Sequence, residues 1–224
     1  MKKIVPAILT DDPLQLDWMI RQAENFCELV QIDIMDGKFV PSKSIASIDL
    51  KKVLTSLYLE VHLMVEEPEK YFEPFKAAGA KRILFHYEAT QRHAELLGKL
   101  KSMGISPGIV INPGTPIEKV KPFFNDIDVL MLMAVNPGFY GAPFIPEVLD
   151  KARAVSKMNK KFILSLDGGV KLDNVLEIAS AGVQQIDVGS AIFKGESPEE
   201  NYKRFVELLK QPSPSFPLPK GEGR

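Results

Sequence analysis

A single-domain TIM (β/α)8 barrel is the fold expected of this 224-residue chain. Short β-branched and apolar runs begin near Ile4, Leu29, Tyr58, Arg82, Ser106, Val129, Phe162 and Gln185, at intervals of roughly 23 to 33 residues. Between them apolar residues fall at helical spacing, as in Leu14, Leu16, Met19, Ile20 and Ala23, or Val148, Leu149, Ala152 and Val155. Strand and helix alternating at this interval indicate βαβ units and a parallel sheet, and eight units in little over 200 residues is the content of a barrel. A doubly wound open sheet is the competing arrangement.

The elements then fall into order. Asp12-Pro13, Glu67-Pro68, Thr115-Pro116 and Ser197-Pro198 each set a capping-type or acidic residue before a proline suited to a first helical turn. Gly79, Gly104 and Gly182 stand where helices end before the next strand. No linker divides this series, so residues 1–210 form one domain. The stretch 211–224, QPSPSFPLPKGEGR, is proline-rich and aperiodic, and is expected to be a disordered tail.

Charged residues make up 25% of the chain and balance to −1, which leaves no electrostatic footprint for nucleic acid or an anionic membrane. A small, neutral-to-anionic partner is expected instead. Cys27 is the single cysteine, which excludes an internal disulfide and a cysteine-based zinc site; it reads as a buried small hydrophobe on the first helix. The apolar run in MKKIVPAILTDDP is too short for a signal segment, and no run approaches the roughly 18 apolar residues that cross a bilayer. A cytoplasmic protein is expected.

In a barrel, chemistry collects at the C-terminal ends of the strands. Alternation along the second strand puts Gln31, Asp33 and Met35 on one face, opposed by Val30, Ile32 and Ile34; along the third it groups Glu60, His62 and Met64. The seventh strand finishes on Asp167 before Gly168-Gly169. Two carboxylates and an imidazole at one level suit a divalent cation and a pair of acid/base groups. Burial without such partners would cost several kcal/mol per charge. Gly168-Gly169 after strand seven, Gly189-Ser190 after strand eight and the loop Asn136 to Phe144 after strand six share one rim, which favours a phosphorylated substrate. His86 and Glu88 end strand four on that rim, either orienting a ligand or making structural hydrogen bonds, and His93 in the next helix is expected to be solvated.

These residues resemble the ribulose-phosphate 3-epimerase family. The likeness runs through PAILTDDPLQL, QIDIMDGKFVP, VHLMVEEPEKY, FHYEAT, INPGTPIE, LMAVNPGFYGAPFIPEVLDK, LDGGV and VGSAIF, nearly the whole chain apart from the tail. It implies interconversion of ribulose 5-phosphate and xylulose 5-phosphate by inversion at C3 through an enediolate, with Asp33 and Asp167 as acid and base. It also implies one divalent metal ion (Zn, Mn, Fe, Co or Mg) on Asp33, His62 and Asp167, with Gln31 where the family has histidine. Met35, Met64 and Met133 would flank the enediolate. Substrate and phosphate contacts would fall to Ala7 (serine in the family), His62, Gly138, Phe139, Tyr140, Gly141, Gly168, Gly169, Gly189 and Ser190. A homo-oligomer is expected as well.

Gln31, Ala7 and Tyr140 depart from the family pattern. A glutamine carbonyl is a harder, weaker ligand than imidazole and suits Mn²⁺ or Mg²⁺ better than Zn²⁺. An epimerase for a hexulose 6-phosphate such as allulose 6-phosphate, or a sugar-phosphate-binding paralogue without catalysis, are the other readings. A decarboxylase or aldolase-like synthase would need a lysine beside the aspartates, and the second strand offers only Lys38, beyond the glycine turn.

Overall fold

Eight strands run parallel in sequence order and close on themselves: β1 (Lys3–Ile8), β2 (Leu29–Met35), β3 (Tyr58–Met64), β4 (Arg82–His86), β5 (Ser106–Ile111), β6 (Val129–Met133), β7 (Ile163–Asp167) and β8 (Gln185–Val188). The last pairs back on the first, Ile4 against Ile186 and Pro6 against Val188, which rules out the open sheet. The structure is a computed structural model that describes residues 2–138, 142–158, 160–195 and 197–211. Gln211 closes it, so the proline-rich stretch from 212 onward lies outside the described residues. Every strand begins within one residue of its expected start.

The helices are α1 (Pro13–Ala23), α2 (Ser47–Leu50), α3 (Phe72–Ala77), α4 (His93–Ser102), α5 (Val148–Ser156), α6 (Val175–Ser180), α7 (Ser190–Phe193) and α8 (Pro198–Lys210). Two of the four proline-led starts are capped α-helices: Asp12 Oδ1 accepts from Leu14 N–H at 2.9 Å, and Ser197 Oγ from Glu200 N–H at 3.2 Å. The other two open only 3₁₀ turns, at Pro68–Lys70 and Ile117–Lys119. Between β5 and β6 the prolines at 113, 116 and 122 leave no stretch in which an α-helix could keep its hydrogen bonds, so 3₁₀ turns make that crossing.

Leu16, Met19, Ile20 and Ala23 of α1 are buried as expected, but Leu14, on the first turn, is 81% exposed. Cys27 lies beyond α1, half-buried, with Sγ donating to the Ala23 carbonyl at 3.3 Å. Among the described residues no helix is long and apolar enough to cross a membrane.

Alternation along the strands builds two cores. Outward residues such as Val30, Ile32, Ile34, Val61, Ile83 and Phe85 pack beneath the helices in one large apolar layer. Inside the barrel the filling is uneven: Leu84, Val110, Val129, Met131 and Met133 make the middle of β4 and the β5–β6 side apolar, while β2, β3, β7 and β8 turn Gln31, Asp33, Glu60, His62, Ser165, Asp167, Gln185 and Asp187 inward, joined by Arg82 and His86 from the two ends of β4. A polar half in a packed barrel must satisfy itself or serve a ligand.

Candidate active site

The polar half is layered. Its lower layer is closed: Arg82 Nη1 donates to Glu60 Oε2 at 2.8 Å and to Gln185 Oε1 at 3.2 Å. Gln185 Nε2 donates to Glu60 Oε1 at 2.7 Å and to Asp187 Oδ1 at 3.0 Å, and the Ser165 hydroxyl donates to Asp187 Oδ2. Burial, with the charges of Glu60 and Asp167 adding to it, holds Asp187 well above the usual carboxylate range. This layer was only partly foreseen. The alternation that grouped Glu60 with His62 applies equally to Gln185 and Asp187 on β8, and would have found them.

The upper layer holds the candidate site. Strand register sets Asp33 beside His62 and Met133 beside Asp167. Gln31 Nε2 donates to Asp33 Oδ1 at 2.9 Å and to Asp167 Oδ2 at 2.7 Å, so one amide bridges both carboxylates. His62 Nδ1 lies 3.1 Å from Asp33 Oδ1 and 3.5 Å from Asp167 Oδ2. All four side chains are buried.

Burial raises the Asp33 carboxyl, the charge of Asp167 raises it further, and hydrogen bonds from His62 and Gln31 oppose both. For His62 burial disfavours the charged ring, yet hydrogen bonds and charges from Asp167 and Asp33 outweigh it and push the imidazole up to about 10.

Above this layer a cavity of about 780 Å³ opens at the C-terminal mouth. Asp33 and Asp167 line it together with Ala7, Met35, Met64 and Met133, and Gly138, Gly168, Gly169, Gly189 and Ser190 line it too. The β7 loop requires its glycines. Gly168 sits at φ +110 and a Cβ there would meet Val135 Cγ2 at 2.6 Å; Gly169 sits at φ +66 with Phe144 Cα 3.0 Å from the same position. Asn174 fastens the loop by donating to the Gly169 carbonyl at 3.0 Å and accepting from Lys171 N–H at 2.8 Å. Lys171, Asn174 and Lys194, which sequence reasoning missed, line the cavity as well. Phe139, Tyr140 and Gly141 lie outside the described residues.

His86 stands behind His62, with the two Nε2 atoms 2.9 Å apart, and Glu88 stands behind His86. Burial pushes His86 down to about 4, against the pull of Glu88. His93 is not solvated as expected: it is 6% exposed, donates from Nε2 to the Tyr87 carbonyl at 2.8 Å and stacks on the Tyr87 ring.

The donor set fits a cation. One ligand atom each from Asp33, His62 and Asp167 can be chosen so that all lie within 4.8 Å of one another. The fourth neighbour, Gln31, has its Oε1 buried without a hydrogen-bond partner. A half-turn of that amide would bring this oxygen to the place its nitrogen now holds. A buried group of two carboxylates and an imidazole can thus bind a metal.

Fold and site together define a class, the barrels that carry paired carboxylates on the cavity wall at the C-terminal mouth, where such folds place their chemistry. Comparison with known proteins narrows it. The ribulose-phosphate 3 epimerase family matches residues 3–193. Ribulose-phosphate 3-epimerase of Schizosaccharomyces pombe is 35% identical over 204 residues, 88% of this chain and 90% of its own length. That of Bacillus subtilis is 36% identical over 201 residues, 86% and 93% of the two chains, and that of Synechocystis is 36% identical over 222 residues, 95% and 96%. The chain belongs to the ribulose-phosphate 3 epimerase family and is an enzyme of the isomerase class. Among solved structures, a 3-hexulose-6-phosphate synthase overlays with a TM-score of 0.71 at 13% identity, covering 93% of this chain and 99% of its own. The Pyrococcus furiosus tryptophan synthase α-subunit overlays at 0.68 and 19% identity, covering 92% and 96%. At such identities these two speak for the fold alone.

Proposed function

We propose that this chain interconverts D-ribulose 5-phosphate and D-xylulose 5-phosphate by moving a proton at C3, with Asp33 and Asp167 as the acid/base pair. The observation that carries the reading is the single amide of Gln31 holding both carboxylates at the wall of one cavity. Inversion needs a base on one side of the reacting carbon and an acid on the other, and two carboxylates fixed in one layer supply both. Burial, which favours the neutral form of Asp33, fits that residue to carry a proton. Met35, Met64 and Met133 offer apolar, polarisable walls for an enediolate and keep water from it. Gly138, Gly168, Gly169, Gly189 and Ser190 would take the phosphate, where close backbone approach needs no side chain, and Lys171 and Lys194 add positive charge nearby. Remote binding of the phosphate then holds C3 between the aspartates.

Asp33, His62 and Asp167 would hold one divalent cation, with Gln31 joining through Oε1. When bound, such an ion supplies electrophilic stabilisation of the negative charge that develops on the substrate's C2 oxygen. Three oxygen donors to one nitrogen favour Mn²⁺ or Mg²⁺ over Zn²⁺. Ala7 lines the cavity without a hydroxyl, so the substrate contact that serine makes in the family is absent here.

The reading includes a homo-oligomer. Support comes from exposed Leu14 and Trp18, one turn apart on α1, with Ile48 of α2 and Leu54, whose carbonyl accepts from Arg21 of α1 at 2.8 Å. The function is tested by incubating purified protein with ribulose 5-phosphate and Mn²⁺, Mg²⁺, Co²⁺ or Zn²⁺ in turn. Formation of xylulose 5-phosphate is expected, fastest with Mn²⁺ or Mg²⁺; its absence with every cation would refute the proposal.

A further inference from the structure

His62 has a second face. Its Nδ1 looks into the carboxylates, while its Nε2 meets His86 Nε2 at 2.9 Å, the two rings stacked with centroids 5.1 Å apart. One of those nitrogens donates and the other accepts, and the contact alone does not say which. The direction is decided further out. His86 Nδ1 lies 3.4 Å from Glu88 Oε2, within ion-pair distance, and a small rotation of either side chain makes the hydrogen bond. Neither atom has a hydrogen-bond partner in place, and Asn112, its Oδ1 likewise unpaired, is a second acceptor beside His86.

Glu88 is fastened by its opposite oxygen. Oε1 accepts from the Asn112 backbone N–H at 3.0 Å and from the Thr115 hydroxyl. A carboxylate only accepts, so the proton on neutral His86 belongs on Nδ1, facing Glu88. His86 Nε2 is then an acceptor and His62 Nε2 the donor. The ring of Phe39, 4.8 Å from that of His86, covers the line on one side.

The geometry points to His86 and Glu88 as positioning residues that keep the His62 proton on Nε2 when Nδ1 gives up its own for a cation held with Asp33 and Asp167. This rests on the cation-holding reading given above. An imidazole can ligate through Nδ1 only if that nitrogen carries no proton, and a partner that fixes the tautomer raises its ligand strength.

Glu88→Gln tests the inference, because the Asn112 N–H still demands an acceptor on its side. The new amide nitrogen must then take the place of Oε2 and present a donor to His86 Nδ1, which reverses the line. Isothermal titration with Mn²⁺ is expected to show a ten- to hundredfold loss of affinity in Glu88→Gln, with Glu88→Asp, which keeps the acceptor, recovering most of it. A loss below threefold would overturn the inference.

Long-range ¹H–¹⁵N spectra of histidine-labelled wild-type protein with Mg²⁺ give a second reading that needs no variant to fold. A protonated Nε2 on His62 is expected, and a protonated Nδ1 would overturn the inference. Wild-type protein that binds neither Mn²⁺ nor Mg²⁺ would refute the cation reading separately. The relay is then judged on metal-free protein, where Glu88→Gln must shift the His62 Nε2 resonance, and an unmoved resonance would overturn it.

Discussion

Gln31 Nε2 lies 2.7 Å from Asp167 Oδ2, joining residues 136 apart in sequence, and the same nitrogen lies 2.9 Å from Asp33 Oδ1. Both amide protons are used on the two carboxylates proposed to carry the chemistry. A neutral side chain thus helps His62 hold two buried acids together.

Removing that amide should be felt without any metal. Gln31→Leu takes a donor from each of two buried carboxylates, and metal-free stability is expected to fall by about 1–3 kcal/mol in urea titrations. Gln31→His restores a softer ligand, and Zn²⁺ affinity is expected to rise at least about tenfold by calorimetry. Unchanged stability in the first variant and unchanged affinity in the second would remove Gln31 from the centre of the site.

Metal binding should release a proton. His62 is held up to about 10 in the metal-free protein, so at neutral pH its ring is protonated, and a cation must displace the Nδ1 proton. Raising the pH toward 10 removes the competitor, so apparent Mn²⁺ affinity is expected to climb by up to about tenfold per unit between pH 7 and 9. Titrations in buffers of different ionisation enthalpy should report about one proton released per ion. A flat pH dependence would contradict this.

The closed layer beneath the site is a stability element. Arg82, its side chain 11% exposed, carries the positive charge that faces fully buried Glu60. Arg82→Met leaves that carboxylate without its counter-charge, Gln185 alone still donating to it, at an expected cost of about 3–5 kcal/mol at pH 7. Burial raises the Glu60 carboxyl in the folded protein, so Glu60 takes up a proton as pH falls and the deficit should narrow in acid. Denaturation at pH 7 and pH 5 checks both parts.

Association is expected to depend on α1. Trp18→Glu combined with Leu54→Glu charges the exposed apolar face, and light scattering coupled to gel filtration should show a smaller species than the wild type. An unchanged mass would place the interface elsewhere.

Much of this site was legible because strands alternate strictly. Reading β2 by twos put Gln31, Asp33 and Met35 inward, and the parallel register then had to bring Asp33 beside His62. The direction of the Gln31 amide was not legible, since it is set by Asp167 on a strand on the other side of β1 and β8. His93 failed for a similar reason: its burial comes from the Tyr87 ring and carbonyl, which the spacing on α4 does not reveal. The missing helix between β5 and β6 could have been read from its prolines, but the regularity of the other units masked the exception.

The central claim is that two aspartates move the C3 proton from opposite sides. Its most direct measurement is deuterium at C3 after each epimer is incubated separately in D₂O with wild-type, Asp33→Asn and Asp167→Asn proteins. Wild-type protein is expected to label both epimers. Each variant should lose epimerisation by roughly 10²–10⁴-fold and wash label into one epimer only, the two variants choosing opposite epimers. Absence of C3 deuterium in the wild type, or both variants labelling the same epimer, would contradict the account.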